Sequence, residues 1–409
     1  MQLAVEPLRV ADPLLALPAL ERELQHHWFV WDAWTMGRRR VDLHPFVLSP
    51  SAHRAAIVAA ERAWTLVADA ADRAAADPSE GARYRFHPDV DRLAAAARAG
   101  GDRGAIARVD LLLAEDGRWI ACEVNADCPG GYNETLALPR LARSAGAPAS
   151  FGDPTHVAGS LADTLLRRAN GGLVALLYAT GYAEDLQVCA ILERLLRERG
   201  ARVVRCAPTA LKPLGDGVGV RGEAVAVAYR FYPLEYMAGQ SNIDAIVRAT
   251  AAGKLASMSS FRWIHAQSKL AMARAFAHDA AAAREVFPET REVADLSRPR
   301  LLLERPDWVL KRDLSRVGDH VYVGALTTDE EWTFIADEIA SVEEDGDQAW
   351  IAQRFVRQRP IATPWGDRLV TLGVYLLDGA FAGYFARFSA TSHCSHEALV
   401  LPVFVGAEP

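Results

Sequence analysis

The chain has 409 residues, 51% of them hydrophobic and 24% charged, which is enough for two or three packed subdomains. Its formal net charge of -7 argues against a general nucleic-acid binder, because such proteins carry an excess of Lys and Arg. No apolar stretch approaches the ~20 residues that cross a bilayer, and the N-terminus does not resemble a secretory signal. The five cysteines are scattered, which favours reduced thiols and a cytoplasmic location.

The first hundred residues predict helices. An Ala-rich segment at 51–77 predicts a long helix, and residues 90–99 predict a second one that ends at Gly100-Gly101. Between about 108 and 125 the pattern changes to short strands. We therefore expect a helical region first and a sheet after it.

A strand pair around Asp116-Gly117 carries the strongest chemical pattern. This dipeptide favours a two-residue type I′ hairpin turn, and such a turn fixes the register. One face then pairs Asp110 with Glu123 and Arg108 with Asn125. The other face is apolar and pairs Val109 with Val124, Leu111 with Cys122, and Leu113 with Ile120.

Two carboxylates facing each other at ~5 Å repel, unless a bound cation reverses the sign of the interaction. The side chains of Asp110, Glu123 and Asn125 offer hard oxygen ligands, which suit magnesium. The alternative is a hydrated sheet face that tolerates the repulsion. Gly130 and Gly131 follow this segment and would let a backbone approach a phosphate or substrate closely, although Pro-Gly-Gly also simply makes a turn.

Residues 173–207 predict a β-α-β unit. An apolar strand is followed by a helix with one apolar face, and a second apolar strand comes after Gly200. Such a crossover implies a parallel, Rossmann-like sheet, to which residues 224–229 add a buried strand. No GxGxxG follows the first strand, so a Rossmann-type dinucleotide enzyme is poorly supported.

The C-terminal half predicts several strands, and two of these strands and one loop carry the candidate ligands that follow. Lys311 ends a strand before a polar loop and could hold a phosphate, although a lysine on a strand edge is more often a solubility device. Arg316 in that loop could bind a phosphate or carboxylate bidentately. Arg387 follows a hairpin predicted at Asp378-Gly379 and could stabilise a transferring phosphoryl group, or could be a surface arginine.

Several segments together resemble the glutathionylspermidine synthases and their synthetase-like relatives. The resemblance lies in RVDLLLAEDGRWIACEVNADCPGGYNE, YRFYPLEYM, AQSKLAMARAF and WVLKRDLSRVG, and it covers roughly three-quarters of the chain, from Arg108 to the C-terminus. It implies an ATP-grasp fold with permuted motif order, because the metal ligands precede the phosphate-binding lysines. Gly130 and Gly131 depart from the Thr and Ser usual in that family, and its amidase domain is missing.

The resemblance implies a role for each matching residue. Asp110, Glu123 and Asn125 would hold Mg²⁺, and Lys269 and Lys311 would hold the phosphates of ATP. The adenine pocket would include Gln353, Arg354 and Phe355. The carboxylate and the acyl phosphate would be held by Arg108, Arg316 and Arg387.

The implied protein is an α/β (α+β) ATP-grasp ligase that joins a small carboxylate to a small amine, with neither nucleic acid nor membrane as a partner and a homodimer left open. Its substrates would differ from glutathione and spermidine. An ATP-binding protein or bare ATPase without ligase chemistry is the alternative. The expected parts are a helical region at 1–104, a metal-binding part at 105–165, a Rossmann-like subdomain at 166–245 and a nucleotide-binding part at 246–409.

Overall fold

A computed structural model describes residues 2–8, 17–35, 37–315, 319–345, 348–395 and 397–407. Its helices are α1 (Leu17–Trp28), α2 (Pro50–Ala76), α3 (Pro78–Ala82), α4 (Pro88–Ala99), α5 (Tyr132–Ser144), α6 (Val157–Ala169), α7 (Ala183–Glu198), α8 (Ile243–Ala251), α9 (Ile264–Gln267), α10 (Leu270–His278), α11 (Ala280–Val286), α12 (Arg298–Leu303) and α13 (Asp329–Asp345). Its strands are β1 (Leu3–Val5), β2 (Trp34–Thr35), β3 (Arg38–Arg39), β4 (Phe46–Leu48), β5 (Ile106–Leu113), β6 (Trp119–Asn125), β7 (Leu173–Tyr178), β8 (Val203–Cys206), β9 (Lys212–Leu214), β10 (Gly217–Val220), β11 (Glu223–Phe231), β12 (Ala256–Met258), β13 (Thr290–Glu292), β14 (Trp308–Arg312), β15 (Val321–Val323), β16 (Trp350–Arg354), β17 (Leu369–Leu377), β18 (Ala380–Ser389), β19 (Leu399–Leu401) and β20 (Val403–Val405).

An antiparallel sheet in the order β19-β18-β17-β5-β6 forms the centre of the molecule. The long helix α2 covers one face of this sheet. Ser49 caps α2 by accepting a hydrogen bond from the backbone N–H of Ala52 at 3.2 Å, and Pro50 occupies its first turn. Most residues on the buried side of α2 are alanines, which let the helix lie close to the sheet. The opposite face of the sheet carries the polar side chains described below.

The predicted β-α-β unit is confirmed. Strand β7 pairs in parallel with β8 after the crossover through α7, and it also pairs in parallel with β11. Strand β12 extends the parallel sheet on the far side of β11, so the parallel order is β8-β7-β11-β12. Strands β10 and β9 add an antiparallel edge. Residues at and after the carboxyl ends of β7 and β11 border the cavity that is described below.

A smaller antiparallel sheet in the order β13-β16-β14-β15 lies in the C-terminal half. Its own core packs Trp308, Trp332 and Trp350 between the sheet and helices α12 and α13. The strands that carry Lys311 and Gln353 therefore belong to a separate small layer. Together these sheets and helices give the mixed α/β fold that the sequence predicts.

The first 48 residues contain short strands that the sequence analysis does not name, in addition to the helix α1. Strand β1 pairs with β4, and β4 pairs in parallel with β20 from the C-terminal end of the chain. Strands β2 and β3 form a further short ladder. Three-residue strands show little local periodicity, and the partner of β4 lies more than 350 residues away, so no local pattern indicates them. Across the described ranges, no helix combines the length and the hydrophobicity needed to cross a membrane.

The predicted β17–β18 hairpin is confirmed. Leu377 faces Ala380 across a two-residue loop. Asp378 and Gly379 have φ values of 51° and 86°, the positive pair that a type I′ turn requires. The hairpin fixes the position of Arg387 on β18 relative to β17.

Candidate active site

The β5–β6 hairpin pairs the predicted ligands as expected, but its turn and its register near the turn differ from the prediction. Asp110 lies opposite Glu123, and Arg108 lies opposite Asn125. The turn is one residue longer than predicted, because the backbone N–H of Ala114 donates to the carbonyl of Arg118. Close to the turn the predicted pairs are therefore wrong: Leu111 faces Ala121, Leu112 faces Ile120, and Leu113 faces Trp119.

A β-bulge at Cys122 corrects this offset. The register shifts by one residue between Asp110 and Leu111, which leaves Cys122 as the extra residue of β6. Cys122 Sγ lies 3.3 Å from the backbone carbonyl of Asp110. Because loop and bulge each add one residue, the two carboxylates face each other despite the longer turn.

Asp110 is almost completely buried and is held by two arginines. Arg108 donates from Nε at 2.7 Å and from Nη2 at 3.0 Å, and Arg387 donates from Nη2 at 2.7 Å. Asn125 adds a bond from Nδ2 at 3.3 Å. Burial opposes ionisation of Asp110, but the two guanidinium groups outweigh it and lower its pKa. Asp110 is therefore an anion between two cations.

Glu123 pairs with a lysine from a different part of the chain. Lys269, in the short link between α9 and α10, places Nζ 3.0 Å from Oε1 of Glu123. Burial raises the pKa of Glu123 and Asp110 adds repulsion, but Lys269 and Lys311 together bring the pKa below its usual value. The ammonium of Lys269 also reaches Ser315 Oγ at 3.2 Å. This contact joins the α9–α10 link to the loop after β14.

Lys311 points from β14 into the same region. Its Nζ donates to the backbone carbonyl of Cys122 at 3.0 Å and to Oε1 of Gln353 at 2.7 Å. Burial lowers the pKa of Lys311 and raises that of the Cys122 thiol to about 12. Lys311 is only 7% exposed, so the view of this lysine as an exposed solubility device is wrong.

Arg354 and Phe355 lie at the end of β16, beside Gln353. Arg354 lies over the ring of Trp308 at 4.0 Å from its centroid and pairs with Glu304 at 2.7 Å. The backbone N–H of Phe355 donates to the carbonyl of Asp307 at 2.8 Å. These contacts make a rigid wall beside Lys311. Arg316, the third predicted arginine, lies outside the described residues.

Two glycines allow close packing around the arginine cluster, which consists of Arg108 and Arg387 at Asp110. A Cβ on Gly373, opposite Asp110 on β17, would lie 2.7 Å from Cδ of Arg108. Gly131 has φ 100°, and a Cβ there would lie 2.7 Å from the hydroxyl of Tyr375 and 2.9 Å from the ring of Phe385. Gly131 therefore holds the start of α5 against the sheet, and the carbonyl of the preceding glycine accepts from Nη1 of Arg108 at 3.1 Å.

The predicted ligands within the described residues border one cavity of about 670 Å³. The described residues predicted as ligands that line it are Arg108, Asp110, Glu123, Asn125, Lys269, Lys311, Gln353, Arg354, Phe355 and Arg387. The cavity is also bordered by residues to which the sequence analysis assigns no role: Asp32, Arg40, Glu134, Tyr182, Glu184, Asp185, Gln187, Phe231, Tyr232 and Tyr236. Several of the latter follow β7 and β11. The general rule that ligands bind beyond the carboxyl ends of parallel strands is the signal that could have found them.

Positively charged side chains outnumber carboxylates around the hairpin. Two carboxylates, Asp110 and Glu123, face two arginines and two lysines, all of them buried or half-buried. Buried charges cost stability unless they are paired or bind a ligand. An excess of two cations at one end of a cavity therefore favours a polyanionic ligand.

The donor set of the hairpin fits Mg²⁺. Asp110 and Glu123 supply carboxylate oxygens from opposite strands, and Asn125 uses its amide nitrogen toward Asp110, which leaves its amide oxygen as a ligand atom. All three line the cavity, and hard oxygens beside bound phosphates are the environment that Mg²⁺ prefers. In the described parts of the chain, no group of three or more His, Cys, Asp or Glu side chains is placed to hold a metal ion, so the hairpin set depends on the amide of Asn125 as its third ligand.

The fold resembles that of the glutathione synthetase-like effector GSS30 from Globodera pallida, solved in its apo form. The match covers 98% of this chain and 99% of that chain, with a TM-score of 0.58 and 15% sequence identity. The putative gamma-glutamylcysteine synthetase from Methylobacillus flagellatus KT matches 78% of this chain and 83% of its own, with a TM-score of 0.41 and 13% identity, too low to carry an argument. No family model and no curated protein matches the sequence. The chain thus has a glutathione-synthetase-like fold, while the resemblance to glutathionylspermidine synthases stays a prediction.

Proposed function

We propose that this protein is an ATP- and Mg²⁺-dependent ligase that joins a carboxylate to an amine through an acyl phosphate and releases ADP. The observation that carries the proposal is the convergence of two carboxylates, two lysines and two arginines on one cavity. The cations exceed the carboxylates by two, and the magnesium complex of ATP is a dianion. The name of the structural neighbour, a glutathione synthetase-like effector, points to the same class of reaction.

The lysines and the hairpin would hold the triphosphate end of ATP. Lys269 and Lys311 would exchange their internal contacts for phosphate oxygens, which frees Glu123 to bind metal. Mg²⁺, when held by Asp110, Glu123 and Asn125, would neutralise charge on the phosphates during transfer.

The two arginines would act on the reacting carboxylate. Arg108 and Arg387 both donate to Asp110, and both line the cavity. Planar guanidinium groups bind carboxylates and phosphates bidentately and stabilise charge that develops on a transferring phosphoryl group. We assign them to the substrate carboxylate and to the acyl phosphate.

The adenine would lie against the wall formed by β16. Gln353, Arg354 and Phe355 line the cavity beside Lys311, and the ammonium of Lys311 contacts both Gln353 and the hairpin carbonyl of Cys122. Gln353 is fixed by Lys311 on its oxygen and by Thr290 on its nitrogen at 3.1 Å. Its side chain therefore serves as a spacer between the lysine and the base, and the neighbouring backbone would contact the adenine.

A bare ATPase or a nucleotide-binding protein is the second candidate. It is favoured by one observation: both oxygens of Asp110 already accept from arginines, so a metal must share that carboxylate with them. If the arginines occupy both oxygens of Asp110, no metal binds there, and ATP could bind without transfer of its phosphoryl group to a carboxylate. The dependence of ADP release on added substrates separates the two functions.

The test begins with thermal unfolding in the presence of Mg²⁺ and a non-hydrolysable ATP analogue, which should raise the melting temperature. ADP release is then measured with a library of carboxylic acids and amines, and we expect release only with a matching pair. Glu123→Gln and Lys311→Ala should abolish this release while circular dichroism shows a folded protein. Lys254→Ala, an exposed lysine outside the cavity lining, is the matched control.

Two results would contradict these assignments. Unchanged ADP release in both Glu123→Gln and Lys311→Ala would remove the hairpin and the lysine from the mechanism. ADP release that needs neither acid nor amine would favour the bare ATPase.

A further inference from the structure

One buried carboxyl of the cavity has no role in the reaction as described so far. Glu134 lies in the first turn of α5, is 4% exposed and lines the cavity. It follows Gly130 and Gly131, and the carbonyl of Gly130 accepts a hydrogen bond from Arg108 at 3.1 Å. Glu134 therefore follows a segment whose backbone contacts Arg108, and it borders the same cavity as Arg108.

Charged and titratable groups from four other elements act on Glu134. Arg40, just after β3, and Arg108 on β5 attract its negative charge, whereas Glu184 on α7 repels it. The hydroxyl of Tyr375 on β17 also interacts with it. Burial raises the pKa of Glu134, and the two arginines offset only part of this effect. A carboxylate with a raised pKa is a stronger base than a carboxylate in water.

Helix capping does not explain this position. An acidic residue in the first turn of a helix stabilises it through the helix dipole and commonly does so from the surface. Burial makes the same charge costly, and a neutral residue at this position would cap the helix without that cost. A buried carboxyl that opens into a cavity is better explained by proton transfer.

We propose that, within the ligase reaction proposed above, Glu134 is the general base that takes a proton from the substrate amine. The carboxylate of Glu134 accepts one proton from the ammonium form, which leaves a neutral amine with a lone pair. The nitrogen then forms a bond to the acyl carbon, and the bond from that carbon to the phosphate oxygen breaks with its electron pair on the phosphate. The second proton leaves the nitrogen for the phosphate, and Glu134 returns its proton to water.

The test compares two nucleophiles on Glu134→Gln, which keeps the size of the side chain and removes its basicity. The acid and the amine are the pair that gives the fastest ADP release in the library. Hydroxylamine replaces the amine in the second arm, because it is uncharged at neutral pH and attacks the acyl phosphate without losing a proton first. We expect release with the amine to fall by about 10²-fold or more, and hydroxamate formation to stay within about threefold of the wild type.

Two further variants make the comparison specific. Glu184→Gln makes the same charge change at an exposed position on the cavity rim, so it should raise KM for the amine without separating the two nucleophiles. Glu134→Asp keeps a carboxylate and should retain more of the amine-dependent rate than Glu134→Gln. If Glu134→Gln does not fold, Glu134→Asp, whose shorter side chain displaces the carboxylate, should still lower the rate with the amine more than the rate with hydroxylamine.

Equal losses with both nucleophiles would overturn the proposal, because a base is needed only for the charged one. Unchanged rates with both would overturn it as well. A wild-type protein that releases no ADP with any acid and amine would instead refute the ligase function itself, together with the role of Glu134 in it. ADP release by the wild type therefore tests the ligase function, and the comparison of the two nucleophiles on the variants tests the role of Glu134.

Discussion

Asp313 has a carboxyl group that folding buries beside the proposed phosphate site. It lies just after β14, its Oδ2 accepts from Ser268 Oγ at 3.3 Å, and its backbone carbonyl accepts from the N–H of Lys269 at 3.1 Å. Burial raises the pKa of Asp313 from 3.8 to about 6, although the backbone of Leu314 and the charge of Lys269 oppose the rise. The folded protein therefore holds this proton more tightly than the unfolded chain does.

The sign of the stability effect follows from this difference. Between pH 3.8 and pH 6 the folded state binds more protons at Asp313 than the unfolded state, so the free energy of unfolding falls as the pH rises through this window. The shift of about two pKa units corresponds to on the order of 3 kcal/mol, at about 1.4 kcal/mol per unit. Asp313→Asn cannot ionise and keeps the acceptor oxygen, so it should be more stable than the wild type by that amount above pH 7 and about equally stable near pH 4.

Urea denaturation of both proteins across pH 4 to 8 measures this prediction. The exposed Asp216 provides a matched control, since Asp216→Asn should change the free energy of unfolding by less than about 0.5 kcal/mol at every pH. A constant difference between Asp313→Asn and the wild type across the pH range would refute the reasoning, and so would a variant that is less stable at pH 8.

The remaining predictions concern two buried contacts. Gly131→Ala places a Cβ 2.7 Å from the hydroxyl of Tyr375 and 2.9 Å from the ring of Phe385, at a φ of 100°. It should therefore lower the free energy of unfolding, measured by urea denaturation, by about 1–3 kcal/mol. An unchanged denaturation midpoint would contradict this, because it would show that the start of α5 can move. Arg230→Met leaves the buried carboxylate of Asp127 without the guanidinium that pairs with it, and should cost about 3–5 kcal/mol. The double variant with Asp127→Leu should recover part of this loss, and equal losses in single and double variants would contradict the ion-pair argument.

Local sequence patterns were sufficient for the elements that are held together by near neighbours. The β-α-β unit, the long helix α2 and the β17–β18 hairpin follow from periodicity and from turn residues such as Asp378-Gly379. The pairing of Asp110 with Glu123 was also predicted, but its basis was incomplete: the sequence indicated the turn dipeptide and did not reveal the bulge at Cys122 that corrects the longer loop.

Only the tertiary structure decided which charges meet around that hairpin. Lys269, Lys311 and Arg387 come from the α9–α10 link and from two different sheets, and their contacts with the hairpin span more than 140 residues of sequence. Arg40 and Glu134 also line the cavity, and the sequence analysis gave neither of them a role, because no local pattern shows which charged residues will border a cavity. Side-chain periodicity and backbone hydrogen bonding within helices and hairpins involve residues that are close in sequence, so local patterns predict them. The pairing of buried charges depends on how whole sheets pack, which local patterns do not show.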